Sequence, residues 1–245
     1  MDAADLLIRL RETTEPLLEL PASVRPTDLG AGYQLQQQIH ARHGGYSGWK
    51  IGCTTPVMQA YMKIGHPCAG GIRSADIHER RLEVDTTHHR RLGIECEIAV
   101  RLATPLGGTV DRAKARAAIG EVMGAIALVE DRYVDWPKMD LPTLVADDFF
   151  QRAAILGAPI ADWQNRELGD LTGTLEQTGL PTVSGRGADI LGDPLNALIW
   201  LAGHVGLAAG TVILLGSVVR TQWIGPGERA RATFDGGSVA EVRAL

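Results

Sequence analysis

Cysteine and aromatic residues are scarce in this chain of 245 residues, which has three cysteines and an aromatic content of 5%. Cys53, Cys68 and Cys96 cannot all pair with one another, and none belongs to a C-x-x-C unit. This usage argues against a disulfide framework. We therefore expect a reducing, cytoplasmic compartment.

The chain also lacks an excess of basic charge, because 24 Lys and Arg residues stand against 29 Asp and Glu residues, for a formal charge of −5. No basic patch dominates, so we do not expect a nucleic acid as a partner. The first ten residues lack a basic segment followed by an apolar core, so no secretory signal is predicted. The overall composition is typical of a globular protein.

Asp, Glu, Lys and Arg are all missing from residues 194–219, a run that could suggest a membrane span. Asn196, His204 and several glycines interrupt it, and Asp193-Pro194 has the pattern of a helix start. We therefore predict a buried helix over 194–207 followed by a buried strand over 212–215, and no membrane partner.

The pattern of elements predicts an α+β fold with a mainly β core. We expect an N-terminal helical region over residues 1–45 and a β-rich catalytic core over 46–245. Leucines at near-helical spacing indicate helix within 2–20, and further helices are expected at 29–43 and 111–123. Strands are predicted at 49–53, 82–84, 94–101, 126–130, 152–156, 173–177, 181–184, 229–234 and 238–243.

The segment Gly93-Ile94-Glu95-Cys96-Glu97-Ile98 carries the most informative pattern. Side chains alternate along a strand, so Glu95 and Glu97 share one face, with Cα atoms roughly 6–7 Å apart. A solvated strand face is the ordinary explanation of such a pair. Here the apolar continuation of the strand suggests burial, and two buried carboxylates are costly unless a cation pairs with them.

A second acidic cluster, Glu130-Asp131, follows the apolar run 126–129 and is well placed to complete a site with the two glutamates. Three carboxylates suit a hard cation such as Mg²⁺ or Mn²⁺ better than zinc. The histidines have no metal-ligand spacing, so we expect them to be structural or exposed.

Lys50 lies between Trp49 and Ile51 in a predicted strand. It is either an exposed strand lysine or a cation that neutralises an anionic substrate and assists proton transfer. Ser184-Gly185-Arg186 is either a plain turn or a source of donors for a carboxylate.

Several segments, in this order, resemble the fumarylacetoacetate hydrolase superfamily, and within it the branch of 2-keto-4-pentenoate hydratases and 4-oxalocrotonate decarboxylases. The resemblance covers almost the whole chain. Single motifs are weak, whereas their ordered combination is specific. The segments lie at 48–54, 94–99, 132–136, 145–147, 184–187, 192–197 and 215–217.

The resemblance implies that Glu95 and Glu97 ligate Mg²⁺ or Mn²⁺. The similar hydratases place a third glutamate where this chain has Ala127, whereas the wider superfamily has an aspartate at the position of Glu130. We therefore assign Glu130 as the third ligand, with Asp131 in reserve.

The resemblance also implies catalytic roles for Lys50 and Asp147, with Arg186 as an electrostatic helper. Ser184, Gly185 and Ser217 are the corresponding substrate-binding residues. Asp148-Phe149-Phe150 stands where the family usually has Asn and small residues, which implies a bulkier, more apolar and more acidic wall.

A divalent-metal hydratase acting on a small anionic 2-hydroxy-dienoate or 2-oxo-4-enoate, in the catabolism of an aromatic compound, is the first functional hypothesis. A metal-dependent 2-oxo-acid decarboxylase, tautomerase or acylpyruvase is the alternative within enzymes, because fold and metal do not decide the reaction. The departures at 127 and 148–149 keep open a non-catalytic partner subunit. The resemblance also implies a homo-oligomer, and a complex with a related decarboxylase or hydratase is a further expectation.

Overall fold

The structure is a computed structural model in which residues 2–245 are described. Two helices precede the first strand: α1 (Ala3–Leu10) and α2 (Leu29–His43). Each begins at an aspartate that caps the first turn, since Asp2 accepts from the backbone N–H of Asp5 and Asp28 from that of Ala31. The remaining helices are α3 (Pro56–Met62), α4 (Arg112–Ala117), α5 (Leu141–Ala146) and α6 (Pro194–His204).

Thirteen strands follow one another between and after these helices within residues 2–245. They are β1 (Tyr46–Gly52), β2 (Cys68–Arg73), β3 (Ile77–Glu79), β4 (Arg81–Val84), β5 (Leu92–Leu102), β6 (Ile119–Glu130), β7 (Gln151–Pro159), β8 (Thr172–Gln177), β9 (Val183–Arg186), β10 (Val212–Ser217), β11 (Gln222–Ile224), β12 (Arg229–Phe234) and β13 (Ser238–Ala244).

The strands form two sheets. The larger has the order β2-β1-β10-β5-β6-β7-β3, with β11 also paired to β5, and the smaller has the order β4-β13-β12-β8-β9. In the larger sheet β5 and β6 pair antiparallel over their whole length, whereas β1 runs parallel to β10. These pairings bring β1 and β5, the strands of Lys50 and of Glu95 and Glu97, to either side of β10.

Three groups of buried apolar residues hold these layers together. The largest lies on the Ile94, Cys96 and Ile98 face of β5 and includes residues of both sheets. A second group joins α1 and α2 to Tyr133, to α5 and to Phe149. The third, smaller group lies on the opposite face of the large sheet and is rich in small residues: Ala99, Ala125, Ala127 and Ala154.

The α+β class and the mainly β core are confirmed, and most predicted strands are present. The predicted helix over 111–123 is wrong in its second half, because α4 ends at Ala117 and β6 begins at Ile119. Pairing of Val122 and Met123 with β5 outweighs their local helical pattern. The helix expected within 2–20 also ends early, at Leu10, and Leu17 forms an isolated bridge with Tyr133.

The uncharged run 194–219 divides as predicted into α6 and β10, although the helix already ends at His204. Across the described residues 2–245, every helix is too short or too polar to cross a membrane. The proposed division at residue 45 stays a prediction. The second apolar group shows that the N-terminal helices share a core with later residues.

Candidate active site

Glu95 and Glu97 lie on one face of β5, as the alternation of side chains requires. Glu97 is almost fully buried and accepts a hydrogen bond of 2.8 Å from the backbone N–H of Gly216 in β10. Glu95 is more accessible, with 20% of its side chain exposed, and accepts a hydrogen bond of 2.7 Å from the hydroxyl of Thr221. Two carboxyl groups are therefore held side by side, one deep and one near the surface.

The buried position of Glu97 makes its ionised form unfavourable. Burial raises the pKa of Glu97 to about 8; Lys50 opposes this rise, the neighbouring Glu95 adds to it, and the Gly216 N–H opposes it. Burial therefore favours the protonated form of Glu97 in the metal-free protein. A cation placed between the two carboxyl groups would favour the ionised form.

Lys50 is brought to the same face from β1, and only 3% of its side chain is exposed. Its Nζ lies 3.2 Å from Oε2 of Glu95. Lys50 pairs in register with Leu214, and Leu214 with Ala99, so Lys50 and the two glutamates project from the same side of the sheet. The alternative of an exposed strand lysine is wrong.

Small side chains stand opposite the glutamates on the neighbouring strand. Glu95 pairs with Ala127 and Glu97 with Ala125, and Ala127 in turn pairs with Ala154 of β7. Ala127, where the resemblance led us to expect a third glutamate, is therefore directly beside Glu95 and carries only a methyl group.

The structure does not bring Glu130 to this site, which corrects its assignment as the third ligand. Glu130 pairs with Leu92 at the end of β6, three residues beyond Ala127, so the alternation turns it away from the Glu95 face. Its carboxylate instead accepts from His89 and from the backbone N–H of Arg90. Burial alone would raise the pKa of Glu130, but the hydrogen bond from His89 and the charge of Arg132 lower it overall.

Asp131, the reserve ligand, is also engaged elsewhere. It accepts from the backbone N–H of Tyr133 and lies near the guanidinium groups of Arg90 and Arg91. In residues 2–245, no group of three or more His, Cys, Asp or Glu side chains is arranged to hold a metal ion. The candidate metal-binding set is thus the pair Glu95 and Glu97.

Asp147 is fully buried at the end of α5, and its two oxygens are occupied by other side chains of the protein. Oδ1 accepts from Nε of Arg11 at 3.0 Å. Oδ2 accepts from Arg132 and from the hydroxyl of Tyr133, each at 2.9 Å. Both oxygens thus accept hydrogen bonds from buried neighbours, which places Asp147 to position those side chains, and its role in proton transfer stays a prediction.

The segment Asp148-Phe149-Phe150 has three consecutive residues with positive φ, at 53°, 51° and 67°. Asp148 is held by Arg11, by His40 and by the backbone N–H of Gly71. Burial would raise the pKa of Asp148, but the charge of Arg11 and the hydrogen bond from His40 lower it overall. Such a backbone persists only where its surroundings hold it.

Phe149 lies against the same side of β1 as Lys50. A Cβ atom on Gly52 would come within 2.7 Å of the Phe149 ring, and Gly52 follows Lys50 by two residues on that face. The bulky apolar wall expected from the sequence is therefore next to Lys50. The acidic side chain of Asp148 takes no part in that wall, because Arg11 and His40 bind it.

Two of the predicted substrate-binding residues, Ser217 and Gly185, contact the main chain next to Glu97 or next to its neighbour on β10. Ser217 pairs in register with Glu97, and its hydroxyl lies 2.8 Å from the backbone oxygen of Val219 and 3.1 Å from that of Cys96, with one proton to donate to either. Gly185 packs so closely on the backbone of Val218 that a Cβ atom would collide with it. Both residues thus shape the segment 216–218, which holds Glu97.

Arg186 and Ser184 are exposed, which argues against their predicted roles in catalysis and substrate binding. The Arg186 guanidinium pairs with Asp170 at 2.7 Å, and 60% of its side chain is accessible. An accessible pair of this kind contributes little stability.

Sequence reasoning missed the residues that orient the two glutamates and those that bind Asp148. Thr221 holds Glu95, but a single threonine in a loop carries no signal in the sequence. Gly216 lies in the segment 215–217 that the resemblance singled out, although its N–H was not identified as a donor. Arg11 lies some 136 positions from Asp147, so only the folded chain reveals their contact.

Comparison with known proteins identifies the family. The sequence model of the fumarylacetoacetate (FAA) hydrolase C-terminal family matches residues 62–243, about three quarters of the chain. The chain belongs to the fumarylacetoacetate hydrolase family. A similar solved structure, 4-oxalocrotonate decarboxylase from Pseudomonas putida G7 complexed with magnesium and adipate, has a TM-score of 0.89 and 23% identity. It matches 99% of this chain and 95% of that one, and it confirms the fold.

The curated relatives of this protein are named either as hydratases or as decarboxylases. The "TodF product hydratase" of Pseudomonas putida is 28% identical over 98% of this chain and 90% of its own length. A 4-oxalocrotonate decarboxylase of a Pseudomonas species is 30% identical over 75% of this chain and 73% of its own length. The resemblance to the hydratase and decarboxylase branch is confirmed.

Proposed function

We propose that this protein is a divalent-metal-dependent hydratase that adds water to a 2-hydroxy-dienoate or 2-oxo-4-enoate in the catabolism of an aromatic compound. The observation that carries the proposal is the arrangement of Glu95, Glu97 and Lys50 on one face of the large sheet. The names of the relatives support the reaction, because hydratases of such substrates occur among them.

Glu95 and Glu97 fit a hard divalent ion, Mg²⁺ or Mn²⁺. Mg²⁺ is commonly bound by one or two carboxylates, with water and substrate oxygens as its other ligands. The raised pKa of Glu97 supports this assignment. It shows that the charge of Lys50 alone does not stabilise the ionised forms of both glutamates, and a divalent ion would supply the additional positive charge. The chemistry that a bound ion supplies is Lewis-acid polarisation of a 2-oxo carboxylate.

Lys50 is the residue placed to move a proton. Its Nζ is buried and contacts only the more accessible of the two carboxylates, so substrate that reaches Glu95 also reaches Lys50. A positioned side chain of this kind contributes by general acid–base catalysis or by stabilising developing negative charge. Asp147 holds Arg11, Arg132 and Tyr133 in place, and this proposal gives it no step in the reaction.

A decarboxylase that acts on an oxalocrotonate is the second candidate, and one finding favours it. The 4-oxalocrotonate decarboxylase of a Pseudomonas species has 30% identity to this chain. The two reactions are distinguished by their products, since hydration bleaches the conjugated dienoate without releasing CO₂, whereas decarboxylation releases it.

The deciding experiment measures metal binding and turnover on the same samples. We expect the chelator-treated protein to bind Mg²⁺ or Mn²⁺ in calorimetry and, once loaded, to consume 2-hydroxypenta-2,4-dienoate as followed by ultraviolet absorbance. Glu95→Gln should weaken metal binding and lower kcat by about 100-fold or more, because one of only two carboxylates is lost. Lys50→Met should leave metal binding in place and lower turnover.

The matched control is Glu83→Gln, which removes an exposed glutamate on the smaller sheet. It should change neither metal binding nor turnover. A wild-type protein that fails to bind either ion specifically would instead support the non-catalytic partner subunit. Release of CO₂ from an oxalocrotonate without bleaching of the dienoate would replace the hydratase by the decarboxylase.

The proposal includes a cytoplasmic location, a homo-oligomer, and a complex with a related decarboxylase or hydratase. The three buried free cysteines support a reducing compartment. Co-purification of the tagged protein with the partner enzyme from a natural source tests the complex directly.

A further inference from the structure

A cavity of about 290 Å³ is lined by residues other than the glutamate pair. Its wall combines the end of the N-terminal helix α1 with the start of β7, and Lys50, Glu95 and Glu97 are not among its lining residues. Four arginines, three histidines and one glutamine line it, together with Glu12 and Asp76. The proposed hydratase reaction leaves this cavity without a role.

Hydrogen-bonding groups without partners are concentrated in this cavity. Across residues 2–245, seven buried side-chain nitrogen or oxygen atoms have no hydrogen-bond partner. Four of the seven belong to cavity residues: Nε of Arg132, Nε2 and Oε1 of Gln151, and Nδ1 of His43. Arg132 and Gln151 are themselves at least nine-tenths buried. Buried polar groups are normally satisfied, so this concentration indicates a missing partner.

Most of these unpartnered atoms are donors. Nε of Arg132 and Nε2 of Gln151 donate by their chemistry. Nη1 of Arg73 lies 2.9 Å from Nε2 of His43, and because a guanidinium only donates, that ring nitrogen is the acceptor. Burial and the charges of Arg73 and Arg11 lower the pKa of His43, so the neutral ring carries its proton on Nδ1. The missing partner must therefore accept several hydrogen bonds.

Two of the cavity's guanidinium groups, those of Arg132 and Arg152, share the carboxylate of Glu130. Three nitrogen-bearing side chains approach Oε2 of Glu130: His89 at 3.2 Å, Arg132 at 3.7 Å and Arg152 at 3.9 Å. Arg152 forms an ion pair with Glu130, but the distance between Nε of Arg152 and Oε2 of Glu130 is too long for a hydrogen bond. Burial lowers the pKa of Arg152, and the charges of Arg132 and Arg73 contribute to the lowering.

The acidic groups at the cavity are mostly occupied. Asp76 forms a two-point ion pair with Arg73, at 2.7 and 3.0 Å. Asp147 and Asp148 are bound by Arg11. Arg132 also pairs with Asp147 at 2.9 Å, whereas the ion pair of Arg152 is the long contact to Glu130.

We propose that this cavity is a second ligand site, specific for a small oxyanion, that is separate from the site of Glu95 and Glu97. Its donors are Nε of Arg132, the guanidinium of Arg152, Nε2 of Gln151 and Nδ1 of His43. Guanidinium groups match the oxygens of carboxylates and phosphates, so these two classes are the candidates. The volume suits an inorganic phosphate or a short carboxylate.

The test is calorimetric titration of the full-length protein, in the presence of a chelator, with phosphate and with acetate against sodium chloride of equal ionic strength. We expect saturable binding of one anion per chain. Arg152→Met and Gln151→Leu should each weaken it by about tenfold or more, since charge-assisted hydrogen bonds contribute about 1.5–3 kcal/mol. Arg231→Met, which removes an exposed arginine paired with Glu241, is the matched control and should change nothing.

Glu95→Gln distinguishes this site from the proposed active site. The variant should bind the anion as the wild type does, although its metal-dependent turnover is strongly reduced. Tighter binding of phosphate or of acetate identifies the class of ligand. The proposal is overturned if neither anion binds above the chloride control, if Gln151→Leu binds as the wild type does, or if Glu95→Gln abolishes the binding. Gln151→Leu decides the matter if Arg152→Met does not fold.

Discussion

The carboxyl group of Glu97 is held where water does not reach it, and its titration has a measurable effect on the stability of the whole chain. Its pKa of about 8 in the folded state lies above its ordinary value of 4.5. Between these two values the folded state binds a proton that the unfolded state has lost. The free energy of unfolding of the metal-free protein therefore falls as the pH rises from about 4.5 to 8.

Glu97→Gln should remove this loss, because an amide does not titrate. Above pH 8 we expect the variant to be more stable than the wild type by roughly 2–4 kcal/mol, with the difference shrinking towards pH 5. Urea unfolding at a series of pH values, in the presence of a chelator, measures it. Parallel stability curves for the two proteins would contradict the assignment.

Residue patterns predicted part of the candidate site and failed at a definable point. Alternation along one strand predicted that Glu95 and Glu97 share a face, because that relation is local. Whether Glu130 faces the same side as Glu95 depends on the register between β5 and β6. Glu130 lies three residues beyond Ala127, the partner of Glu95, and an odd number of residues along a strand places a side chain on the opposite face. Asp147 was singled out, but its partner Arg11 lies too far along the chain to be inferred.

At the scale of elements, the left-handed segment after α5 is held by the close approach of β2. A Cβ atom on Gly70 would come within 2.3 Å of the backbone oxygen of Asp148, and backbone cannot move aside as a flexible side chain can. The sequence showed that residues 148–150 depart from the family. It could not show the close contact that requires glycine at position 70.

Gly70→Ala should therefore destabilise the protein by about 2 kcal/mol or more, by forcing β2 away from this segment. Gly65→Ala is the matched control, since a Cβ atom there meets nothing within 4 Å. Urea denaturation gives the midpoints. Equal midpoints for the two variants would show that the segment shifts without cost.

Across the whole molecule, a patch of exposed apolar side chains supports the predicted homo-oligomer. Val57 and Tyr61 project from α3, which has no buried residue, and the Tyr61 ring lies 5.6 Å from that of Trp136. Val134, which precedes Trp136 by two residues in the sequence, is also about half exposed. Exposed apolar side chains in such proximity are typical of surfaces that contact another chain.

Tyr61→Glu should shift the protein towards monomer in analytical ultracentrifugation, because a charge would be buried in the contact. Leu180→Glu places the same charge at another exposed apolar position and should leave the sedimentation unchanged. An unaltered assembly in Tyr61→Glu would locate the contact on a different surface.

The general organisation of the fold was predictable from the sequence because it depends on short-range patterns. The strands predicted at 229–234 and 238–243 match β12 and β13 closely. Helices α3 and α5 and strands β2 and β3 were not predicted, since they are short and are stabilised by contacts with distant residues.

The ion pair between Lys50 and Glu95 has a practical consequence for handling the protein. An ammonium group already neutralises the more accessible carboxylate, so the folded chain carries its own stand-in for an added cation. A preparation stripped with a chelator should then remain intact and regain full activity on reconstitution. Competition from this internal cation should also raise the apparent Kd for Mg²⁺ above that of a pair of glutamates without a lysine between them.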